Sequence, residues 1–312
     1  MKKSVLMFSA IALVLLFGSI YIIIPSTLTV SSVRYVKAYQ NTIIKLITDQ
    51  QKMNEWFQSF AAKHDSSYEY QGFDYHVSTI LSSVTEIKIS SGQLNADSKL
   101  LSLSIYLDSS AIQWSTVIHT SYNPFTRIQQ YTTAEKLKQS MTGVIDRLKL
   151  YIENTTNMYG IAVKEIQLKD SILVTSKIKT AGYPGVTAIY KEVERLQQYA
   201  AQQGASTTNA PMLYVKKLDA TNYEAMIGLP INKLVTETAE IRIKRMPYGG
   251  NMFVADIAGG PATIQKGFES LTTFLFDSKR VSPAIPFELM ITDRSKETDT
   301  TKWLTRLYYP IM

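Results

Sequence analysis

The chain has 312 residues, 45% of them hydrophobic and 19% charged, which leaves room for about two domains and excludes disorder on a large scale. It has no cysteine, so a disulfide framework, a thiolate metal site, a cysteine nucleophile and a lipidated-cysteine anchor are excluded. The formal charge of +7 is thinly spread: twelve basic against eleven acidic residues in 25–153, nineteen against fifteen in 154–312. A nucleic-acid binder concentrates Lys and Arg on one face or tail, so none is expected as a partner.

Residues Ser4 to Ile24 carry no charge. At about 1.5 Å per residue they span roughly 30 Å, the thickness of a bilayer's hydrocarbon core. Lys2 and Lys3 keep the near end in the cytoplasm, and Pro25 stops the helix. A cleaved signal peptide has a shorter apolar run and small residues at its cleavage site. Tyr21-Ile22-Ile23-Ile24-Pro25 is a poor match to that pattern. Residues 1–25 are therefore expected to be a single-pass transmembrane anchor in a bacterial cytoplasmic membrane, with the rest on the outer, periplasmic side.

Residues 26–153 form the first predicted outer domain. A β-rich stretch, Thr27 to Lys37, leads into a helical pattern with Ile43, Ile44, Ile47, Met53 and Trp56. Leu101, Leu103, Ile105 and Leu107 then alternate with polar residues and Tyr106, as do Ile112, Trp114, Thr116 and Ile118 with Gln113, Ser115 and Val117. Period-two patterning means half-buried antiparallel strands. A capping box, Thr132-x-x-Glu135, opens a last helix with a stripe of Leu137, Met141, Val144, Leu148 and Tyr151. Strand, helix, several strands and a long final helix suit a curved sheet wrapped around that helix. The opening, Ile24-Pro25-Ser-Thr-Leu-Thr-Val followed by Tyr39 to Asp49 and Glu55-Trp56, resembles membrane-anchored members of the START-like (SRPBCC, polyketide cyclase) superfamily. That resemblance implies a helix-grip fold with a hydrophobic cavity between helix and sheet.

Residues 154–312 read as a repeat. Glu165-Ile-Gln-Leu168 aligns with Glu240-Ile-Arg-Ile243, and Ala181-Gly182 with Ala258-Gly259, each followed closely by proline (Pro184, Pro261). A helix follows in both halves, one with Val186, Ile189, Tyr190, Val193 and Leu196, the other with Ile264, Phe268, Leu271 and Leu275. Pro-led strands, Pro211 to Val215 and Pro286 to Met290, come next. Asn222 to Ile231 and Lys302 to Ile311 close the halves on Pro-Ile. Each half reads strand–helix–strand–strand, with room for a further short strand before the helix, and two such units leave a groove between them. The turns, the closing phrases and Pro286-Phe287-Glu288 resemble the GyrI-like (AraC-type) effector-binding domain. The resemblance implies a ligand groove with Glu288 in it. Met290 stands where the family usually has a tyrosine, and no helix-turn-helix is found.

The predicted fold class is thus α+β: an N-terminal transmembrane helix, a START-like helix-grip domain, then a duplicated GyrI-like domain. Glu288, a lone carboxylate in an apolar strand, is costly to bury without a partner, a part that a cationic or hydrogen-bonding ligand fills, and an outward-facing Glu is the plain alternative. Tyr190, Tyr214, Trp303 and Tyr309 are candidate aromatic walls for an apolar or cationic ligand, or else core rings. His64, His76 and His119 show no metal-ligand spacing, and neither a phosphate loop nor a G-x-S-x-G elbow occurs, so no metal, cofactor or catalytic residue is assigned. A small-molecule binding protein is expected. A hydrolase with Glu288 as general base and a non-catalytic envelope scaffold are the alternatives.

Overall fold

The computed structural model describes residues 13, 15–57, 61–63, 67–92, 94–106, 108–169, 172–246 and 249–312. Residues 4–12 and Val14 of the predicted membrane segment, together with His64 and Leu107, lie outside the described residues. Residues 15–23 are helical, and among the described residues no helix is long and apolar enough to cross a membrane. The chain forms two compact units, Met1–Asn154 and Thr155–Met312.

In the first unit, β1 (Thr27–Val36) is followed by helices α1 (Gln40–Thr48) and α2 (Gln50–Phe57). Six strands come next: β2 (Ala61–Lys63), β3 (Ser67–Tyr70), β4 (Phe73–Ile80), β5 (Val84–Ser91), β6 (Leu94–Tyr106) and β7 (Ser109–His119). The long helix α3 (Pro124–Glu153) closes the unit. The sheet is antiparallel throughout, in the order β1-β7-β6-β5-β4-β3-β2. Ile112, Trp114, Thr116 and Ile118 point inward as expected. On β6 the faces are reversed from the simple expectation: Ser98, Leu100 and Ser102 are buried, while Leu103 and Ile105 are exposed. Of the two buried serines, Ser98 is partnered: its Oγ donates to the Ile87 carbonyl and accepts from Trp114 Nε1, whereas the Ser102 hydroxyl has no hydrogen-bond partner among the described residues. Helix α3 starts eight residues before the expected capping box. Asn123 caps it by accepting from the Phe125 and Thr126 amides, and Pro124 supplies a preset first turn. Thr132 lies inside the helix, its hydroxyl donating to the Gln129 carbonyl. Tyr75 donates to or accepts from Ser140 of α3, and its ring meets those of Trp114 and Phe57, so aromatic rings reach from α3 to the sheet and α2.

The second unit opens with the single helical turn α4 (Thr155–Tyr159). Its first repeat is β8 (Lys164–Gln167), β9 (Ile172–Ala181), α5 (Val186–Gln202), β10 (Met212–Lys217) and β11 (Asn222–Pro230). The second is β12 (Arg242–Arg245), β13 (Asn251–Ala258), α6 (Pro261–Asp277), β14 (Phe287–Met290) and β15 (Leu304–Pro310). One antiparallel eight-stranded sheet holds both, ordered β12-β9-β11-β10-β14-β15-β13-β8. The short first strands anticipated before the helices exist, and they are exchanged: β8 pairs with β13 of the other repeat, and β12 with β9. Register places Ile166 opposite Met252 and Lys244 opposite Leu173, so the equivalent residues of the first strands lie three places from the Glu165/Glu240 alignment. The paired glycines behave as the repeat requires. Gly182 and Gly259 have φ of +85° and +137° at the turn before each helix, values that L side chains rarely adopt. Both helices lie on one face of the sheet. One core joins α5 to Val174, Leu213, Ile227 and Met290, and another joins α6 to Phe253, Ile257 and Leu307. A third cluster, with Leu173, Met212, Met252, Phe287 and Leu289, lies on the opposite face.

Candidate functional site

The groove lies where the repeats meet. Met212 pairs with Gly228 and Phe287 with Tyr308, which gives Leu213 and Glu288 equivalent places in the two halves. They also pair directly with each other across the β10–β14 junction. An apolar residue in one repeat therefore faces an acid in the other, at the centre of the helix-bearing face.

The connections after these central strands differ. β10 returns to β11 through four residues, 218–221, whereas β14 reaches β15 through thirteen, 291–303. The longer loop closes the α5 side of the groove. Its Arg294 guanidinium donates from one nitrogen to Glu288 Oε2 at 2.6 Å and to Thr305 Oγ1 at 2.8 Å. The same guanidinium lies 4.8 Å from the centre of the Trp303 ring. Tyr190 on α5 fixes the loop: its hydroxyl accepts from the Arg294 amide at 2.8 Å and donates to the Thr292 carbonyl at 3.3 Å. Trp303 is held in turn by donation from Nε1 to the Glu297 carbonyl.

Glu288 and Arg294 are only 4% and 6% exposed, so this is a buried ion pair. Burial pushes the Glu288 carboxyl up from its ordinary range, and the Arg294 guanidinium opposes that shift. The buried carboxylate thus has the partner it requires, supplied by the chain itself.

The α6 side remains a cavity of about 590 Å³. Its walls include Tyr183, Tyr223, Phe268 and Tyr309, with Glu288 and Leu213 at the strand junction. Tyr183 and Tyr223 meet edge to face at 5.9 Å, and the Lys217 ammonium stands 5.9 Å from the Tyr223 ring centre. The Tyr183 phenol is pushed up to about 12, chiefly by desolvation, with the Glu288 charge adding to it. Like any tyrosine at neutral pH it is protonated and can donate a hydrogen bond.

Of the five residues expected at the site, Glu288 and Tyr309 line this cavity. Tyr190 and Trp303 brace the Arg294 loop on the other side. Tyr214 borders the groove, but strand alternation turns its ring toward the cluster on the helix-free face. Sequence reasoning missed Tyr183, Tyr223 and Arg294. The unequal lengths of the two repeats' last connections were the available signal for Arg294. Among the described residues no His, Asp and Glu cluster has the arrangement to hold a metal ion; His119 is exposed at its strand end, and His76 Nδ1 shares a hydrogen bond with the Ser67 hydroxyl.

No protein-family model matches the chain, and a search of curated proteins finds no match. Among solved structures, the EcmrR C-terminal domain is similar at 14% identity over 49% of this chain and 98% of its own, with a TM-score of 0.42. EcmrR in its DNA complex aligns at 13% identity over 61% of this chain and 72% of its own, TM-score 0.44. SAV2435 bound to tetraphenylphosphonium aligns at 17% identity over 48% and 93%, TM-score 0.31.

Proposed function

We propose that the chain is a membrane-anchored binding protein whose second unit, a GyrI-like effector-binding module, takes a small, largely apolar molecule on the outer side of a bacterial cytoplasmic membrane. The cavity beside Glu288 carries this reading: about 590 Å³ and walled by aromatic rings. The carboxylate is already neutralised by Arg294, so the groove favours neutral ligands. A cationic ligand must displace a guanidinium held by an ion pair, a threonine and an indole face. The same pairing withholds the carboxylate that a general base would need free.

The first unit is read as a START-like module that joins the groove to the membrane. Supporting the anchor are the exposed side chains of Leu15, Leu16, Ile22 and Ile23 on the helical residues 15–23. The end of that helix is tied to α3: Arg127 donates to the Ile24 carbonyl at 2.8 and 2.6 Å and covers the Tyr21 ring at 4.8 Å. Tyr122 and Phe125 beside it are exposed, as aromatic residues are at a bilayer interface.

Fluorescence titration of the full chain with a neutral dye, Nile red, and a lipophilic cation, rhodamine 6G, tests the groove. The wild type is expected to prefer the neutral dye. Arg294→Met should strengthen the cation's binding about ten-fold, roughly 1.4 kcal/mol, by freeing the carboxylate. Adding Glu288→Gln should abolish that gain. Equal cation affinity in all three proteins would end the assignment of ligand selection to this pair.

A further inference from the structure

On the face of the sheet away from α5 and α6 lies a second cavity, of about 260 Å³. It opens on the opposite face of the sheet from the groove, and Leu213, Tyr214 and Phe287 line both. Strands from both repeats floor it, and the segment Pro283–Ile285 borders it. Its lining includes four methionines, Met212, Met226, Met246 and Met252, together with Leu173 and Phe287. Methionine side chains are unbranched and flexible, and they suit a surface that must mould itself to a flexible chain. The volume falls just below the range of about 300–1,000 Å³ usual for ligand pockets, which fits one alkyl chain better than fused rings.

Two further observations define the occupant. Gly228 lies in the floor, in the middle of β11. Its φ is not in the left-handed region, so the backbone does not demand glycine there. A Cβ at this position would make only ordinary contacts, 3.6 Å to Leu173 and Thr175 and 3.8 Å to Met212. What the missing side chain provides is room at the floor, where another molecule can come close to the backbone. The charged residues of the lining are Lys244 and Arg245, with no carboxylate among them. Neither has an ion-pair partner among the described residues. Lys244 pairs with Leu173 on β9, so strand alternation puts its side chain on the cavity's own face.

We infer that this cavity binds a single-chain anionic amphiphile, a long-chain carboxylate, with its alkyl chain over Gly228 among the methionines and its head group at Lys244.

The test uses the full chain in lipid nanodiscs and a diazirine-bearing dodecanoic acid as probe. After irradiation, labelled peptides are mapped by mass spectrometry. Label is expected on peptides containing Met212, Met226 or Met252. Excess dodecanoate should remove it, and dodecyltrimethylammonium at the same concentration should not. Gly228→Ile, which fills the floor, should cut labelling about five-fold. Lys244→Glu, an exposed change that leaves the interior intact and keeps the test valid should the glycine variant fail to fold, should cut it about three-fold or more. Label confined to other segments, equal competition by the cationic amphiphile, or full labelling of a folded Lys244→Glu protein would overturn the inference.

Discussion

Arg294 sits in a polar run, Thr292-Asp293-Arg294-Ser295-Lys296, yet its guanidinium crosses into the core and meets the one acid on the central strands. A buried pair of this kind loses about 3–5 kcal/mol when one partner is removed, because the other charge is stranded. Removing both costs far less. Glu288→Leu with Arg294→Met is a natural pair, since leucine already occupies the equivalent place at Leu213. In urea melts each single substitution should lower stability by about 3–5 kcal/mol and the double by less than either. Additive losses would show that the two side chains act independently. Glu288 was legible as an isolated carboxylate in an apolar strand. Its partner was not, because pattern reading pairs residues along an element and this contact bridges a strand and a loop. The aromatic candidates fared similarly: Tyr309 and Tyr214 are both strand residues, and only the register, Leu213 opposite Glu288, tells which ring joins the groove.

Strand-level features show where local pattern suffices. The repeated turn glycines, helical stripes and Pro-Ile closures all survive as elements because each is set by short-range chemistry. The face reversal on β6 shows where it fails. Leu101, Leu103 and Ile105 carry the stronger apolar signal, but the opposite face turns inward with Leu100 in the core and Ser98 hydrogen-bonded, while the Ser102 hydroxyl is left unpaired among the described residues. The start of α3 was missed because Asn123-Pro124 lies outside the apolar stripe and its signal is a cap alone. Neighbouring strands also set a pH response. Asp256 on β13 faces Arg306 on β15, accepting its Nε at 2.6 Å and a second guanidinium nitrogen at 3.0 Å. Those hydrogen bonds hold the carboxyl below its usual range. A folded-state value below the unfolded one means stabilisation that is complete above the unfolded pKa and lost as pH falls through the folded one. Both groups are half-exposed, so the effect is small, about 0.5–1 kcal/mol. Asp256→Asn should remove that part of the acid-side loss in denaturant melts as pH falls through and below the ordinary carboxylate range. An unchanged acid limb would assign the loss to other carboxylates.

For the whole molecule, the α+β class and the duplicated second unit follow from patterns that recur along the chain. What did not follow is how the duplicate is put together. Each repeat lends its first strand to the other: β8 completes the half built by β13, α6 and β15, and β12 completes the half built by β9, α5 and β11. No periodicity reveals such an exchange, since a strand's hydrophobic alternation is the same whichever edge it joins. The connector between the halves, residues 232–240, is nearly all exposed and includes Lys233. A protease that cuts there severs the polypeptide but not the assembly, because the fragments remain laced through each other's outer edges. Limited trypsin treatment should give two bands on a denaturing gel, while size-exclusion chromatography under native conditions still shows one species of unchanged size. Separation of the fragments would mean that the laced edges hold too weakly to keep them together.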